Sequence, residues 1–461
     1  VGASERKRFF IMDGNAYIYR AFYAIEELST STGIPTNAVF GFTRLLLKLL
    51  FEDKPDYMVV AFDTAAPTFR HKEFAEYKAD RPKMPDPLAQ QFPIIREVLE
   101  AFNVSTAEQP GYEADDIVGT LAKKAEAEGM EVTIITGDKD ALQLVSPNIK
   151  VCPYSFRGVF EEGFVFDEQA VKERHGVEPS KITDLIGLMG DKTDNIPGVP
   201  GIGEKTAPML IEQFGSIEDL LEHVGDIKSE KQKQLLKEYA DQALLSKRLA
   251  TIDVQVPIHM DLEDFLVVDP DRDKLFEIFR RLEFRKFMRD LDLAKKEDVE
   301  VEYHTILSES DLDDLVGKLT QAGEFAIDTE TDGLDPITSN IVGISVSFQP
   351  HDAYYIPVSH RYIGAPKQLG VGFVLDKLKP VLSDTAIGKI GQNIKYDLQV
   401  LQRHGIELAG ISFDTMLASY LLNPSARGHD LSTMSMERLG HKTIPIEDLI
   451  GKGKNQITMD E

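Results

Sequence analysis

Phe9-Phe10-Ile11-Met12-Asp13 is four apolar residues running directly into a carboxylate, and the arrangement recurs twice. Tyr57–Phe62 runs into Asp63, and Glu131–Thr136 leads through Gly137 into Asp138 and Asp140. Apolar runs this short, with turn residues behind them, read as buried strands. Between them, Ala38–Phe51, Pro87–Phe102 and Glu113–Glu128 carry helical patterns. Such alternation predicts an α/β fold, a mostly parallel sheet covered on both faces. In such sheets ligands bind beyond the carboxyl ends of the strands, where these acids would stand.

Farther along, helical stretches dominate from about Asp167 to Asp290, broken by the Gly/Pro-rich segment Asn195–Gly203. Asp292–His304 is charged and weakly periodic and reads as a linker. Strands are expected again at Glu324–Asp328, Ile341–Phe348 and Ala353–Pro357, with helices near Gly372–Leu382, Tyr396–His404 and Asp414–Leu422. The expected division is therefore an α/β core (1–166), a helical extension (167–290), a linker (291–304) and a second α/β domain (305–461).

The 461 residues carry 51 Lys+Arg against 77 Asp+Glu, a net charge of −26, with 42% hydrophobic residues. That balance excludes wholesale disorder. Cys152 is the only cysteine, which excludes an internal disulfide and a cysteine-built zinc site. No apolar run approaches the ~18 residues that span a bilayer, and no apolar h-region follows the basic N-terminus, so it is not expected to be a signal peptide. The acidic total argues against nucleic acid as a default partner, unless the acid is gathered at particular places.

Some of it is. Besides Asp13, Asp63, Asp138 and Asp140, the helix opening Gly111-Tyr-Glu-Ala-Asp-Asp116 adds Glu113, Asp115 and Asp116, and Gly190-Asp-Lys-Thr-Asp-Asn195 adds Asp191 and Asp194. Any one of these acids could be a helix cap or a solvated loop residue. Together at one sheet edge they would repel, and desolvating them unpartnered costs several kcal/mol each. Divalent cations that prefer oxygen ligands, Mg²⁺ or Mn²⁺, relieve this, and two of them suit an in-line phosphoryl displacement. Without interleaved His or Cys, zinc is disfavoured there.

Gly198-Val-Pro-Gly-Ile-Gly-Glu-Lys-Thr-Ala207 resembles a phosphate-binding loop but places Glu204 between the last glycine and Lys205, and no strand precedes it. It reads better as a tight turn entering a helix at Glu204–Phe214. Its glycines would let a phosphate approach and its helix start would offer free N–H groups. The bland alternative is plain punctuation between helices. Phe69-Arg-His-Lys72 and Tyr77-Lys-Ala-Asp-Arg-Pro-Lys83 interleave basic and aromatic residues, suited to a strand or flap with exposed bases. The alternative there is a solvated charged loop.

Met12-Asp-Gly-Asn15, Ala61-Phe-Asp63, Phe69-Arg-His71, Tyr77-Lys78, Gly111–Asp116, Thr136-Gly-Asp-Lys-Asp140, Gly190–Asn195 and Pro200–Ala207 together resemble the 5′-nuclease domain of the bacterial DNA polymerase I family, related to the flap endonucleases. The resemblance runs from about Arg8 to Asp290. It implies a PIN-like, mostly parallel nuclease core with a helix–hairpin–helix part, acting on DNA with a 5′ flap, a nick or an RNA–DNA primer junction. It implies two or more Mg²⁺ or Mn²⁺ held by Asp13, Asp63, Glu113, Asp115, Asp116, Asp138, Asp140, Asp191 and Asp194. Arg70 and Lys78 would steady the scissile phosphate, with Tyr77 and Arg81 in the gateway over the site and Phe69 among the residues that bind DNA. Gly198, Gly201, Gly203, Lys205 and Thr206 would grip duplex phosphates in the hairpin, which often holds K⁺. No role is assigned to Asp80.

Asp328-Thr-Glu-Thr-Asp-Gly333 and Gly391-Gln-Asn-Ile-Lys-Tyr-Asp397 resemble the first two motifs of a 3′–5′ proofreading exonuclease of ribonuclease-H-like fold. Asp328 and Glu330, two apart on a strand, face the same way; Asp397 would supply a third ligand. A further motif, Tyr followed four residues on by Asp, is absent after Asp397, and Tyr420 is followed by Pro424. The expectation is a truncated, inactive second domain in an N-terminal fragment lacking the polymerase domain. The whole is expected to work as a monomer in the bacterial cytoplasm, off the membrane. The competing expectations are a non-catalytic DNA-junction module with structural metals and a nucleotide-binding switch at Gly198–Thr206.

Overall fold

A computed structural model describes residues 6–155, 164–258, 261–293, 301–424, 428–453 and 456–461. They form two compact units, divided between Phe284 and Arg285.

The first unit is built on β1 (Arg8–Asp13), β2 (Tyr57–Ala61), β3 (Ser105–Ala107), β4 (Glu131–Ile135) and β5 (Ile149–Cys152). The order is β3-β2-β1-β4-β5, and every pair is parallel. The chain builds outward from β1 to β2 and β3, then returns to place β4 on the other flank of β1. The reversal of direction is a switch point, where a crevice opens at the carboxyl ends. Register lines the ends up: Asp13 lies opposite Ala61, and Met12 opposite Ile135. The three expected strands are present, and β3 and β5, only three and four residues long, were not foreseen.

Two expected helices are interrupted. Asn37–Leu47 passes into a π-helical turn, Lys48–Asp53, that ends at Lys54 with φ 50°. The 87–102 stretch breaks at Gln90 into Asp86–Ala89 and Gln91–Ala101. Pro93 has no N–H to donate back across that break. Ala114–Ala127 packs on the sheet, and Ile182–Met189, Thr206–Phe214 and Ala240–Ala250 form much of the helical part. One buried cluster runs from Phe9 and Ile134 of the sheet through Ile117 and Leu144 to Val199, Ile217 and Leu249. Packing therefore continues across the expected 166/167 division.

The second unit contains β6 (Glu302–Thr305), β7 (Glu324–Thr331), β8 (Ile341–Gln349), β9 (Asp352–Pro357), β10 (Gly388–Gly391) and β11 (Ile411–Asp414) in the order β11-β10-β7-β8-β9-β6. β7–β8 and β8–β9 are antiparallel and the remaining pairs parallel. Helices Glu309–Ala322, Val371–Leu382 and Lys395–Arg403 accompany the sheet. β6 lies at the end of the segment expected to be a linker, of which residues 294–300 fall outside the described ones. As an edge strand it is largely solvent-facing and has no apolar run to announce it.

Candidate metal centre and nucleic-acid interface

β1 delivers Asp13 to the crevice, 6% exposed. Its Oδ1 accepts from the Ala16 backbone N–H at 2.9 Å, capping the helix Gly14–Ala24, and its Oδ2 accepts from the Thr136 hydroxyl at 3.2 Å. Burial, with Asp63 and Asp138 nearby, pushes its carboxyl up to about 7. Asp63, just past β2, keeps an open face to solvent and accepts from the Ala114 N–H at 2.8 Å. Loss of surrounding water raises it, and Glu113 adds to the rise. Asp115 is raised well above the usual range by burial, then by Asp138 and Asp13. Asp13, Asp63, Asp115 and Asp138 thus form one mutually repelling group.

Asp138 also belongs to a second group. Burial raises it, with Asp194 and Asp191 contributing. Asp140, 8% exposed, is raised well above its ordinary value by burial, Asp138, Asp194 and Asp191, and its Oδ1 is buried without a hydrogen bond. The turn 190–195 brings in Asp191 and Asp194, closed by paired backbone hydrogen bonds between Asp191 and Ile196 at 2.7 and 2.8 Å. Lys139 faces Asp191 at 3.1 Å.

These two groups suit divalent cations. The donors are oxygens only, burial and then neighbouring acids oppose ionisation of Asp13, Asp63, Asp115, Asp138 and Asp140, and one buried oxygen lacks a partner. Among the described residues no three of these acids bring ligand atoms within 4.8 Å of one another.

Four expected site residues sit differently. Arg70 is 2% exposed, and its guanidinium forks onto Asp116 with two 2.8 Å bonds. It also donates to the Leu249 and Thr251 carbonyls at 2.8 Å each. Asp116 is fully buried and accepts further from the Asp253 N–H at 2.8 Å and the Glu113 N–H at 3.1 Å. With its two oxygens taking four bonds, Asp116 is a helix-capping anchor for Arg70, and neither is presented to a metal or phosphate. Tyr77, 3% exposed, offers no ring to a base; its hydroxyl lies 3.1 Å from Glu113 Oε2 and 3.3 Å from Asp194 Oδ2. The ring of Phe69 is half-buried with the Arg70 guanidinium 4.5 Å from its centroid.

Lys78 does reach the crevice. Its backbone takes φ 54°, its N–H donates to the Asp194 carbonyl at 3.0 Å, and its Nζ stands 2.8 Å from Glu113 and 3.4 Å from Asp194. Burial opposes its charge, but Glu113 and Asp194 hold its pKa well above the ordinary value. Burial likewise opposes the charge on Asp194, yet Lys78 and Arg81 keep it low. Arg81, with its side chain 47% exposed, pairs with Asp194 at 2.5 Å and marks the outer rim.

Four neighbours were not foreseen: Thr136, Lys139, Asn15, which accepts from the Asp63 N–H at 3.3 Å, and Arg20. The Arg20 guanidinium lies so close over Gly137 that a Cβ there would fall 1.9 Å from it. Arg20 lies on the helix Gly14–Ala24 that Asp13 caps.

The glycine segment joins Ile182–Met189 to Thr206–Phe214. Gly198 takes φ +62°, and a Cβ there would meet the Gly190 nitrogen at 2.2 Å. Its N–H donates to Ser246 Oγ at 3.0 Å and its carbonyl accepts from Gln242 at 2.6 Å. Val199 and Ile202 plug inward, leaving Gly201, Gly203 and Lys205 exposed and Thr206 half-buried at the helix start.

In the second unit Asp328 and Glu330 lie on β7, and Asp397 accepts from the Thr329 N–H at 2.8 Å and its hydroxyl at 2.6 Å. Burial, then Asp397 and Glu330, push Asp328 up to about 7, and burial with Asp397 raises Glu330.

Three family models cover the chain in order: a 5′–3′ exonuclease N-terminal resolvase-like domain over residues 8–176, a 5′–3′ exonuclease C-terminal SAM fold over 177–273, and a 3′–5′ exonuclease domain over 303–461. The chain is thus made of exonuclease domains, a 5′–3′ pair followed by a 3′–5′ one. DNA polymerase I of Pseudomonas aeruginosa is 40% identical over 98% of this chain and 51% of its own length, and that of Bacillus caldotenax 38% identical over 99% and 50%. The chain belongs to the bacterial DNA polymerase I family and corresponds to its N-terminal part, spanning about half the length of the curated relatives it matches. Among solved structures, zinc-bound T5 5′-exonuclease has a TM-score of 0.45 at 20% identity, covering 63% of this chain and 100% of its own. The catalytic core of Rad2 in complex with DNA substrate scores 0.42 at 18%, covering 60% and 88%. At those scores both likenesses are loose. Among the described residues, no helix is long and apolar enough to cross a membrane.

Proposed function

We propose that the first unit is a structure-selective, divalent-metal-dependent 5′ nuclease that cuts DNA at 5′ flaps, nicks and RNA–DNA primer junctions. The observation that carries this reading is the double group of acids at the switch point, hinged on Asp138, with the unpartnered Asp140 oxygen inside it. Asp13, Asp63, Asp115 and Asp138 would hold one Mg²⁺ or Mn²⁺, and Asp138, Asp140, Asp191 and Asp194 a second. When bound, such ions offset the developing negative charge of phosphoryl transfer and make water a better nucleophile.

The chain's own residues do the rest. Lys78 places a fixed positive charge between Glu113 and Asp194, aimed at where a phosphate would gain charge. Glu113 holds Lys78 and stands back from the ions. Arg70 acts through Asp116, fixing the start of Ala114–Ala127 and therefore the position of Asp115. Arg81 at the rim meets incoming DNA. The exposed hairpin at Gly201, Gly203, Lys205 and Thr206 offers backbone N–H groups and one cation to duplex phosphates without reading sequence. Its carbonyls are the proposed place for K⁺.

For the second unit we infer that Asp328, Glu330 and Asp397 are part of a 3′–5′ exonuclease site. These 461 residues supply no further acid of the expected motif, and hydrolysis from 3′ ends would need one from elsewhere. The proposal extends to monomeric action in the bacterial cytoplasm. The test is cleavage of a 5′-labelled flap duplex in Mg²⁺, with and without EDTA. Cleavage at the junction that stops on chelation is expected. Cleavage indifferent to EDTA would overturn the metal assignment, and tight flap binding with no cleavage in Mg²⁺ or Mn²⁺ would favour a junction-binding module.

A further inference from the structure

A different cluster lies at the edge of the second unit's sheet. β6 pairs in parallel with β9 so that Glu302 stands opposite Asp352 and His304 opposite Tyr354. Residues two apart on a strand share a face, so Glu302, His304, Asp352 and Tyr354 gather on one side. His304 Nε2 is 3.0 Å from Asp352 Oδ1 and 3.6 Å from Glu302 Oε2, and one ligand atom from each residue lies within 4.8 Å of the others. A tetrahedral centre with bonds of ~2.0–2.1 Å sets its ligand atoms about 3.3 Å apart, and the two measured separations bracket that value.

The surroundings are built for a ligand at this point. Asp352 is 8% exposed, and its Oδ1 is buried without a hydrogen bond. The 3.0 Å approach of His304 is therefore not an aligned hydrogen bond. Asp352 Oδ2, in contrast, is fully occupied, accepting from Gln349 Nε2 at 2.8 Å and the Tyr354 hydroxyl at 3.1 Å. The Tyr354 ring stacks on the His304 imidazole at 4.6 Å and 22°, and Lys318 donates to the Tyr354 hydroxyl at 3.2 Å. One oxygen is thus held by outer partners and the other left for coordination, while the imidazole plane is fixed, an arrangement typical around bound metals. Glu302 and His304 are exposed enough for an ion to enter from solvent.

We propose that Glu302, His304 and Asp352 form a binding site for a zinc-class divalent transition-metal ion, which fastens β6 to β9. The imidazole nitrogen separates this site from the all-oxygen acid groups and selects zinc or its neighbours over Mg²⁺. It is also remote in the sheet from Asp328 and Glu330, since β8 and β9 lie between β7 and β6. Three protein ligands leave one position for water.

The test is equilibrium dialysis of the metal-stripped 461-residue chain against Zn²⁺, with millimolar Mg²⁺ present throughout, reading bound zinc by elemental analysis. Wild type should hold one more equivalent of zinc than His304→Gln and than Glu302→Gln, a substitution at an exposed side chain that leaves folding intact. Co²⁺ in place of Zn²⁺ should give visible absorption bands in wild type that both variants lose. Equal zinc stoichiometry and affinity in wild type and Glu302→Gln would overturn the three-ligand site, whether or not His304→Gln folds.

Discussion

Asp13→Asn should make the metal-stripped protein more stable while removing a candidate metal ligand. Asp13 is buried with a carboxyl raised from 3.8 to about 7. A carboxyl whose folded value lies above its unfolded one binds protons more tightly in the folded state, so stability falls as pH rises between the two values. The loss spans about pH 4 to 7 and is complete above it. A rise of about 3 units at 1.36 kcal/mol each puts the cost of the Asp13 charge at up to about 4 kcal/mol at pH 8. Asparagine removes that cost and keeps the cap, because its side-chain oxygen can still accept from the Ala16 N–H. In a unit of this size ~1 kcal/mol moves Tm by about 2–4 °C. Thermal unfolding in EDTA should therefore show the variant melting higher by up to about 8–16 °C at pH 8. The gap should close toward pH 4, and Mg²⁺ should raise wild type more than the variant. A variant that melts at or below wild type in EDTA at pH 8 would refute the cost of the buried, crowded Asp13 charge on which the metal assignment rests.

Arg70→Ala should lower stability by about 3–5 kcal/mol in urea unfolding, because it strands a buried Asp116, and Arg70→Lys should rescue little of it; wild-type stability with lost cleavage would return Arg70 to the phosphate. Lys78→Met should cut the flap-cleavage rate by about 10²–10³, the range for losing one preorganised donor, measured in single turnover at saturating enzyme. Gly198→Ala should cost about 1–3 kcal/mol through backbone strain and collision with Gly190. Gly203→Ala has open space around it and φ outside the left-handed region, so it should leave unfolding unchanged and weaken only duplex binding.

Much of this was legible in the residues, for identifiable reasons. Strands β1, β2 and β4 are largely buried, so β1 and β2 carry apolar runs and β4 a mostly apolar one, each ending at or a few residues before an acid. The parallel order then dictates that Asp13, Asp63 and Asp138 share an edge. β3 and β5 are too short to show periodicity, and β6 is an exposed edge whose charged residues mimic a linker. The work of Arg70 was invisible because the Leu249 and Thr251 carbonyls lie 179 and 181 residues away. Asp115 and Asp116 are adjacent in sequence, yet helix phase sends one toward the crevice and the other onto Arg70. Sequence pooled them as ligands, and only the hydrogen-bond count of Asp116 separates them. Tyr77 looked like a stacking platform for the same reason: an aromatic beside basic residues reads alike whether its ring faces DNA or the core.

Asp138 is the acid that both groups share, which makes it the most direct probe of the two-ion nuclease. Cleavage of a 5′-labelled flap duplex in Mg²⁺ should be measured for wild type and Asp138→Asn under single-turnover conditions. Cutting at the flap junction by wild type, with the variant slower by at least about a hundredfold while still binding the duplex, is the predicted result. Undiminished cleavage by Asp138→Asn would contradict the assignment of the acid groups as the catalytic metal centre.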